Sequence, residues 1–313
     1  MHSWGDDRPY NSFASRIKEK YGSRLQKVSV NAGFTCPNRD GNVATGGCTY
    51  CNNASFTPSY CTDQESITSQ INNGIEFLKW RYKKLGHFLA YFQSYSNTYD
   101  TLDILKERYL TALDHPEISG LVISTRPDCI NDDILDYLQL LSEKQHIFLE
   151  YGIESCYNET LKKVNRGHSF EQTRTAIELT AERKLHVTGH LLFGLPGETR
   201  DMMLNEATIV SSLPLNALKF HQLQVIRNTR MATDYKYNHD QFNLFSLDEY
   251  IDFVISFIEN LNPDIALERL ASESPPGYRI SEGFGNKRVD WVQKKIESVM
   301  KERNTWQGKK FKK

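Results

Sequence analysis

Along most of this chain, short apolar runs alternate with segments whose apolar positions recur at helical spacing. The runs fall at 27–32, 87–93, 120–125, 147–153, 186–193 and 217–224. Continuous apolar runs of this kind read as strands buried on both faces of a parallel sheet. Between the first two runs, Ile67, Ile71, Ile75 and Leu78 recur three or four apart, and after the second Leu102, Leu105, Tyr109 and Leu113 do the same. That spacing predicts helices. Residues 62–65 read as the start of the first helix, and Asn131 or Asp132 as the cap of a helix reaching to about 144. Helical segments at 158–164, 170–184 and 200–212 complete the alternation.

Six strands alternating with helices are the signature of a parallel sheet with right-handed crossovers. The expected fold class is α/β, a partial (β/α)6 barrel with a small C-terminal extension. In such folds chemistry gathers at the C-terminal ends of the strands. Residues 1–26 form a lead-in with a short helix at 16–21, ended by Gly22. The barrel takes 27–225 and includes a cysteine loop at 33–56. Residues 226–313 form the extension, with a helix at 246–261 begun by the capping box of Ser246 and Glu249, an edge strand at 264–270 and a last helix at 290–303.

Composition narrows the setting. The 313 residues are 39% hydrophobic and 25% charged, enough to bury a core. No apolar run approaches the ~20 residues that span a bilayer, and the N-terminus shows no signal-peptide core; a cytoplasmic location and no membrane partner are expected. Six cysteines in this length are not a disulfide scaffold. The net charge of −1 is unevenly spread. From Lys287 onward ten Lys and Arg face three acids, Asp290, Glu297 and Glu302. Such a tail can neutralise phosphates; a solvated helix with a frayed end is the competing reading.

Candidate chemistry centres on Cys36, Cys48 and Cys51, spaced C-x11-C-x2-C in a loop rich in Gly, Asn and Pro. A structural zinc site wants four protein ligands, and a ferredoxin-type cluster wants four thiolates. No second C-x2-C or nearby C-x2-H completes such a set. Three thiolates on a [4Fe–4S] cluster leave one iron open to a chelating cofactor. A zinc loop closed by a distant ligand, and ordinary buried cysteines, stay open as alternatives. Cys61, Cys129 and Cys156 read as packing residues, with an auxiliary-ligand role conceivable for Cys61 and a redox role for Cys156.

The cysteine loop, with Tyr50 just before the third thiol, resembles that of radical S-adenosylmethionine (SAM) enzymes. The ordered motifs NAGFTCPNRDG, GGCTYCNN, STRPD, EYGIES, NRGH and HLLFGLPGET are similar to the YhcC/YtqA-type radical SAM family, over nearly the whole chain. The long first gap is similar to that of the Elongator catalytic subunit branch. The resemblance implies a [4Fe–4S] cluster on Cys36, Cys48 and Cys51, with SAM on the open iron. A low-potential donor of the flavodoxin or ferredoxin type would deliver the electron.

By the same resemblance, Ser96, Asn97 and Thr98 contact the methionine end of SAM, where many relatives carry glycines and an acid. Glu154 and Ser155 sit where ribose hydroxyls are bound; an N-cap cluster is the bland alternative. Arg166 resembles the arginine gripping the SAM carboxylate, a two-pronged match. Gly194 and Gly197 let the backbone approach adenine. Arg126, His190 and His221 are substrate-side candidates; core histidines and a loop-orienting arginine compete with that reading. Ser124 is a weaker candidate, and His168 caps or packs.

The Elongator-like branch points to tRNA as partner, through the carbon-5 side chain of the wobble uridine. With no room seen for an appended acetyltransferase, the expected reaction is remodelling an existing side chain, for example carboxymethylaminomethyluridine to aminomethyluridine. Trp291 and Trp306 are read as exposed aromatics able to stack on bases. A small metabolite, a porphyrin-like molecule or a protein is the alternative substrate. A non-catalytic zinc or iron–sulfur RNA-binding module is the alternative of another class.

Overall fold

Seven strands form one sheet in a computed structural model of the protein, which describes residues 2–82, 86–285 and 287–312. Met1 of the lead-in, Lys313 of the basic tail, residues 83–85 and Asn286 lie outside the described residues. In spatial order the strands are β1 (Leu25–Val30), β2 (His87–Phe92), β3 (Ile118–Thr125), β4 (His146–Glu154), β5 (His186–Phe193), β6 (Ala217–Gln222) and β7 (Ala266–Arg269). All six pairings are parallel. The expected six strands thus become seven, because the anticipated edge strand joins the same parallel sheet beside β6.

The sheet curls into a half-barrel. Lys27 on β1 reaches Glu268 on β7 at 2.5 Å, a contact across the interior that a flat seven-stranded sheet forbids. Apolar strand residues such as Val28, Phe92, Leu121, Leu149 and Leu218 are fully buried against the helices. Those are α2 (Ile67–Arg81), α3 (Leu102–Leu113), α4 (Asp132–Ser142), α6 (Phe170–Glu182) and α7 (Arg200–Ser211), with the short α5 (Asn158–Lys163) before α6. Caps set their starts. Ser66, not residues 62–65, begins α2 by accepting from Ser69 N. Asn131 caps α4 and Thr199 caps α7 in the same way.

Both ends of the chain fold onto the β7 side. The lead-in helix α1 (Phe13–Tyr21) follows a parallel bridge between Ser12 and Leu267. The extension holds α8 (Arg230–Tyr237), which the apolar pattern does not announce, then α9 (Leu247–Asn260) and α10 (Val289–Glu302). The capping box of Ser246 and Glu249 opens α9 as expected. The tail beyond α10 is docked rather than frayed. Buried Gln307 accepts from Asn11 N and donates to Asn262 and Ile265 carbonyls, each at 2.9 Å, and Lys310 pairs with Glu259. Trp306 is consequently half-buried, with its ring 6.1 Å from His2; only Trp291 remains exposed as expected.

Candidate active site

The C-terminal strand ends enclose a cavity of ≈290 Å³. Cys36, Cys48 and Cys51 line it together with Arg126, Glu154, Arg166, His190 and His221. Eight of the residues singled out from sequence therefore meet at one place, from strands and loops spread over almost two hundred positions.

The cysteine loop is held by its own backbone. Arg39 N and Asp40 N donate to Cys36 O, and Cys51 N donates to Cys48 O at 3.0 Å. Arg39 Nη2 donates to Cys51 O at 3.0 Å. Asn38 Nδ2 and Arg166 Nη1 each stand 3.6 Å from Cys48 Sγ, so the thiol faces two donors. Thr49 N donates to Val164 O at 2.9 Å, tying the loop to the α5–α6 connection that carries Arg166. Burial raises the Cys36 thiol above its ordinary pKa and pushes Cys51 up to about 11. Among the described residues no three His, Cys, Asp or Glu side chains form a ready-made site for a single metal ion.

A bulge aims Glu154. The β4–β5 register slips between Gly152 and Glu154, and Glu154 adopts φ +65°. Bulges re-aim side chains, and left-handed non-glycine residues collect at working sites. The Glu154 carboxylate thereby comes within 3.5 Å of Arg166 Nη2, which also donates to Gly152 O at 2.8 Å. A Cβ on Gly152 would lie 2.4 Å from that guanidinium and 2.5 Å from the carboxylate, so any larger residue here has to displace one or both of them. Arg166 Nε and the buried Tyr50 hydroxyl have no partner among the described residues. Arg126 is pinned between Asp128, at 2.9 and 2.7 Å, and Arg166 O, at 2.6 Å.

The cavity floor is a charged layer the sequence reading missed. Glu150 on β4 is 1% exposed. Its Oε1 accepts from Lys27 (2.7 Å) and Lys219 (2.6 Å), and its Oε2 from Tyr91 (2.8 Å), Ser124 (3.1 Å) and His190 (3.0 Å). Glu268 adds a second carboxylate, 3.3 Å from Lys219. Every strand from β1 to β7 thus contributes one polar side chain to a single network. Burial opposes ionisation of Glu150, but the Lys219 and Lys27 ammonium groups hold its pKa well below the usual carboxylate range. Burial also keeps His190 and His221 below their usual pKa, hence neutral near pH 7. His221 stacks 5.4 Å from His190, and its buried Nε2 has no partner among the described residues. A sequence signal existed: Lys27, Glu150, Lys219 and Glu268 are charges inside otherwise apolar strands.

Ser124, the weaker candidate, also lines the cavity, whereas the remaining expected residues lie outside the lining. Ser96, Asn97 and Thr98 are buried and engaged with the Arg126 amide, the Phe92 and Ser124 carbonyls, and Thr125 with the Cys129 carbonyl. Gln93 and Tyr95 are what this loop presents to the cavity. Ser155 donates to Glu198, below the cavity wall. Gly194 and Gly197 take φ of +97° and +100° in the turn before α7. His168 packs against Ser169 and Thr173, with burial lowering its pKa. Cys61 donates to Gln70 at 3.1 Å, Cys129 accepts from Ser96, and Cys156 is buried beside Glu206; none of the three lines the cavity.

Comparison with known proteins places this geometry in context. The description "Radical SAM superfamily" matches residues 36–207, and "Radical_SAM C-terminal domain" matches 215–302. The chain is 31% identical to YtqA of Bacillus subtilis over 308 residues, 97% of this chain and 94% of that protein. It is 32% identical over 148 residues to the tRNA uridine(34) acetyltransferase of Methanocaldococcus infernus, 46% of this chain but 26% of that one. Among solved structures, the archaeal Methanocaldococcus infernus Elp3 lacking its N-terminus superposes with a TM-score of 0.66 at 18% identity. That alignment covers 90% of this chain and 64% of the other, and bears on the fold alone.

Proposed function

The chain belongs to the radical SAM superfamily, and from that premise we propose that it remodels the carbon-5 side chain of a tRNA wobble uridine, for example carboxymethylaminomethyluridine to aminomethyluridine. Members of the superfamily use a [4Fe–4S] cluster and SAM. When bound, these supply a 5′-deoxyadenosyl radical able to abstract hydrogen from an unactivated C–H bond, which no side chain can do.

The residues fit that pair of groups. Cys36, Cys48 and Cys51 are free thiols that line the cavity, the number that leaves an iron open. The guanidinium of Arg166, unpartnered at Nε, matches a carboxylate, and the Glu154 carboxylate can accept hydroxyl or ammonium hydrogens. Arg126, locked by Asp128, orients the Arg166 carbonyl and the loop between. The floor network fixes His190 against the cavity, so that a substrate meets polar groups that need not reorganise. A flavodoxin- or ferredoxin-type donor is the expected electron source.

The observation that supports the tRNA reading is the stretch shared with a protein named for uridine 34 of tRNA. The carboxymethyl methylene beside nitrogen is a suitable site for hydrogen abstraction: with SAM as the net two-electron oxidant, loss of that hydrogen atom and one further electron would leave an imine, which water hydrolyses to aminomethyluridine and glyoxylate. The test is nucleoside mass spectrometry of bulk tRNA from a strain lacking the gene, beside its parent. Loss of one modified uridine with accumulation of its precursor supports the reading. An unchanged profile where the gene is expressed rejects it in favour of a small-molecule or protein substrate.

A further inference from the structure

Most charges around the cavity have an ion-pair or hydrogen-bond partner; on the floor, Arg269 has none among the described residues. Lys27 and Lys219 balance Glu150 and Glu268. Arg166 faces Glu154, and Arg126 faces Asp128. Arg39 lies beside the cysteines, bonded to the Cys51 carbonyl. Glu273, on the rim, is exposed and accepts from Val289 N at the start of α10. Arg269, at the end of β7, lines the cavity half-buried, and no hydrogen bond or ion pair from the described residues engages its guanidinium.

Beside it stands the second unmet donor. Its charge is near enough to His221 to add, after burial, to the forces keeping that imidazole neutral. The His221 Nε2 is buried with no partner among the described residues, and His221 lines the same cavity two residues along β6 from Lys219, which is paired with Arg269 in the sheet. A half-buried guanidinium with no partner among the described residues, and an imidazole whose buried Nε2 has none when it carries the proton, are both met by one anion with two acceptor oxygens. Of the two floor carboxylates, Glu150 is fully subscribed by its five donors; Glu268 keeps one buried oxygen without a partner among the described residues but makes no ion pair with Arg269.

We propose that Arg269 and His221 form a subsite for a carboxylate carried by the substrate, at the end of the cavity formed by β6 and β7, apart from the cysteines. The proposal rests on the wobble-uridine reading for the identity of that substrate: a carboxymethylaminomethyl group carries one carboxylate on a short arm. Holding it by the carboxylate would place the methylene beside the amine nitrogen over the neutral His190, between the anion subsite and the cysteine wall. It would also make a side chain lacking the carboxylate, the expected product, the weaker ligand.

The test uses reconstituted holoenzyme and two anticodon stem–loop RNAs, one with carboxymethylaminomethyluridine at the wobble position and one with its uncharged carboxamide. Charge-assisted, desolvated bonds predict that the wild type prefers the carboxylate by about tenfold or more. Arg269→Gln should bring the ratio close to one, and Arg269→Lys should keep part of it. Iron, sulfide and cluster absorbance report that each variant is folded. Equal binding of the two RNAs by the wild type, or a preference that survives Arg269→Gln, overturns the subsite while leaving the wobble-uridine reading standing. If neither RNA binds, that reading falls and the subsite is judged separately, by the melting temperature in acetate against acetamide at equal ionic strength. Stabilisation by acetate that Arg269→Gln abolishes upholds it; stabilisation indifferent to Arg269, or none, overturns it.

Discussion

Replacing Glu150 by glutamine removes one charge from the floor of the half-barrel while keeping the shape. Glu150 accepts two ammonium groups, a phenol, a hydroxyl and an imidazole while 1% exposed. After the change, Lys27 and Lys219 share only Glu268. Breaking a buried ion pair from one side costs about 3–5 kcal/mol, because a charge is left behind unpaired. For a chain of this length that corresponds to a fall in melting temperature of roughly 5–8 °C. Removing Lys219 as well, as Glu150→Gln with Lys219→Met, restores neutrality between Lys27 and Glu268. The pair of changes should therefore cost less than the sum of the two single ones, by about 2 kcal/mol or more. The pH dependence has a definite sign. A carboxylate held below its unfolded pKa contributes stability that is complete above that unfolded value and is lost as pH falls through the folded one. The wild-type holoenzyme should lose stability in acid more steeply than Glu150→Gln. The assay is calorimetry of anaerobic holoenzyme across pH. A single variant as stable as the wild type, or strict additivity in the double variant, would refute the reasoning.

Three further outcomes are expected. Cys36→Ala, Cys48→Ala and Cys51→Ala each abolish reductive SAM cleavage, measured as 5′-deoxyadenosine, whereas Cys61→Ala, whose thiol only donates to Gln70, does not; an active Cys48→Ala protein sinks the cluster assignment. Glu198 and Glu206 are buried side by side, each with an unpartnered oxygen, and burial pushes Glu198 up to about 7. A raised carboxyl pKa means the folded state holds a proton the unfolded chain has released, so stability falls as pH rises from about 4.5 to 7, by a few kcal/mol at most. Glu206→Gln should flatten that slope, and an unchanged slope in urea titrations contradicts the pairing. Gly152→Ala places a methyl into both Arg166 and Glu154, and should weaken SAM binding at least tenfold, measured by equilibrium dialysis; wild-type affinity contradicts the role of that pair.

The strand–helix alternation was readable because a parallel sheet buried on both faces leaves continuous apolar runs, and α9 announced itself through the box of Ser246 and Glu249. Residues 62–65 misled because an acidic, hydroxyl-bearing stretch resembles a cap, while the backbone turned helical only after Ser66. β7 is four residues long, too short for periodicity to establish, and its place in the sheet depends on partners 50 residues away. The cysteines and Arg166 were legible because their chemistry is local and unusual. Glu150, Lys219 and Arg269 were not, because a charge inside a strand reads as an exception until the curl of the sheet gathers five of them, with Lys27 and Glu268, at one end of the barrel. Ser96, Asn97 and Thr98 looked like ligands for a neighbour, yet their polar atoms are taken up by the chain itself, which spacing alone does not reveal.

The most direct measurement of the central claim combines holoenzyme, SAM, a low-potential reductant and tRNA from a strain lacking the gene, with the carboxymethyl methylene of its wobble uridine deuterated. Deuterium appearing in 5′-deoxyadenosine while aminomethyluridine accumulates is the result predicted here. Undeuterated 5′-deoxyadenosine and an unchanged wobble uridine would contradict it.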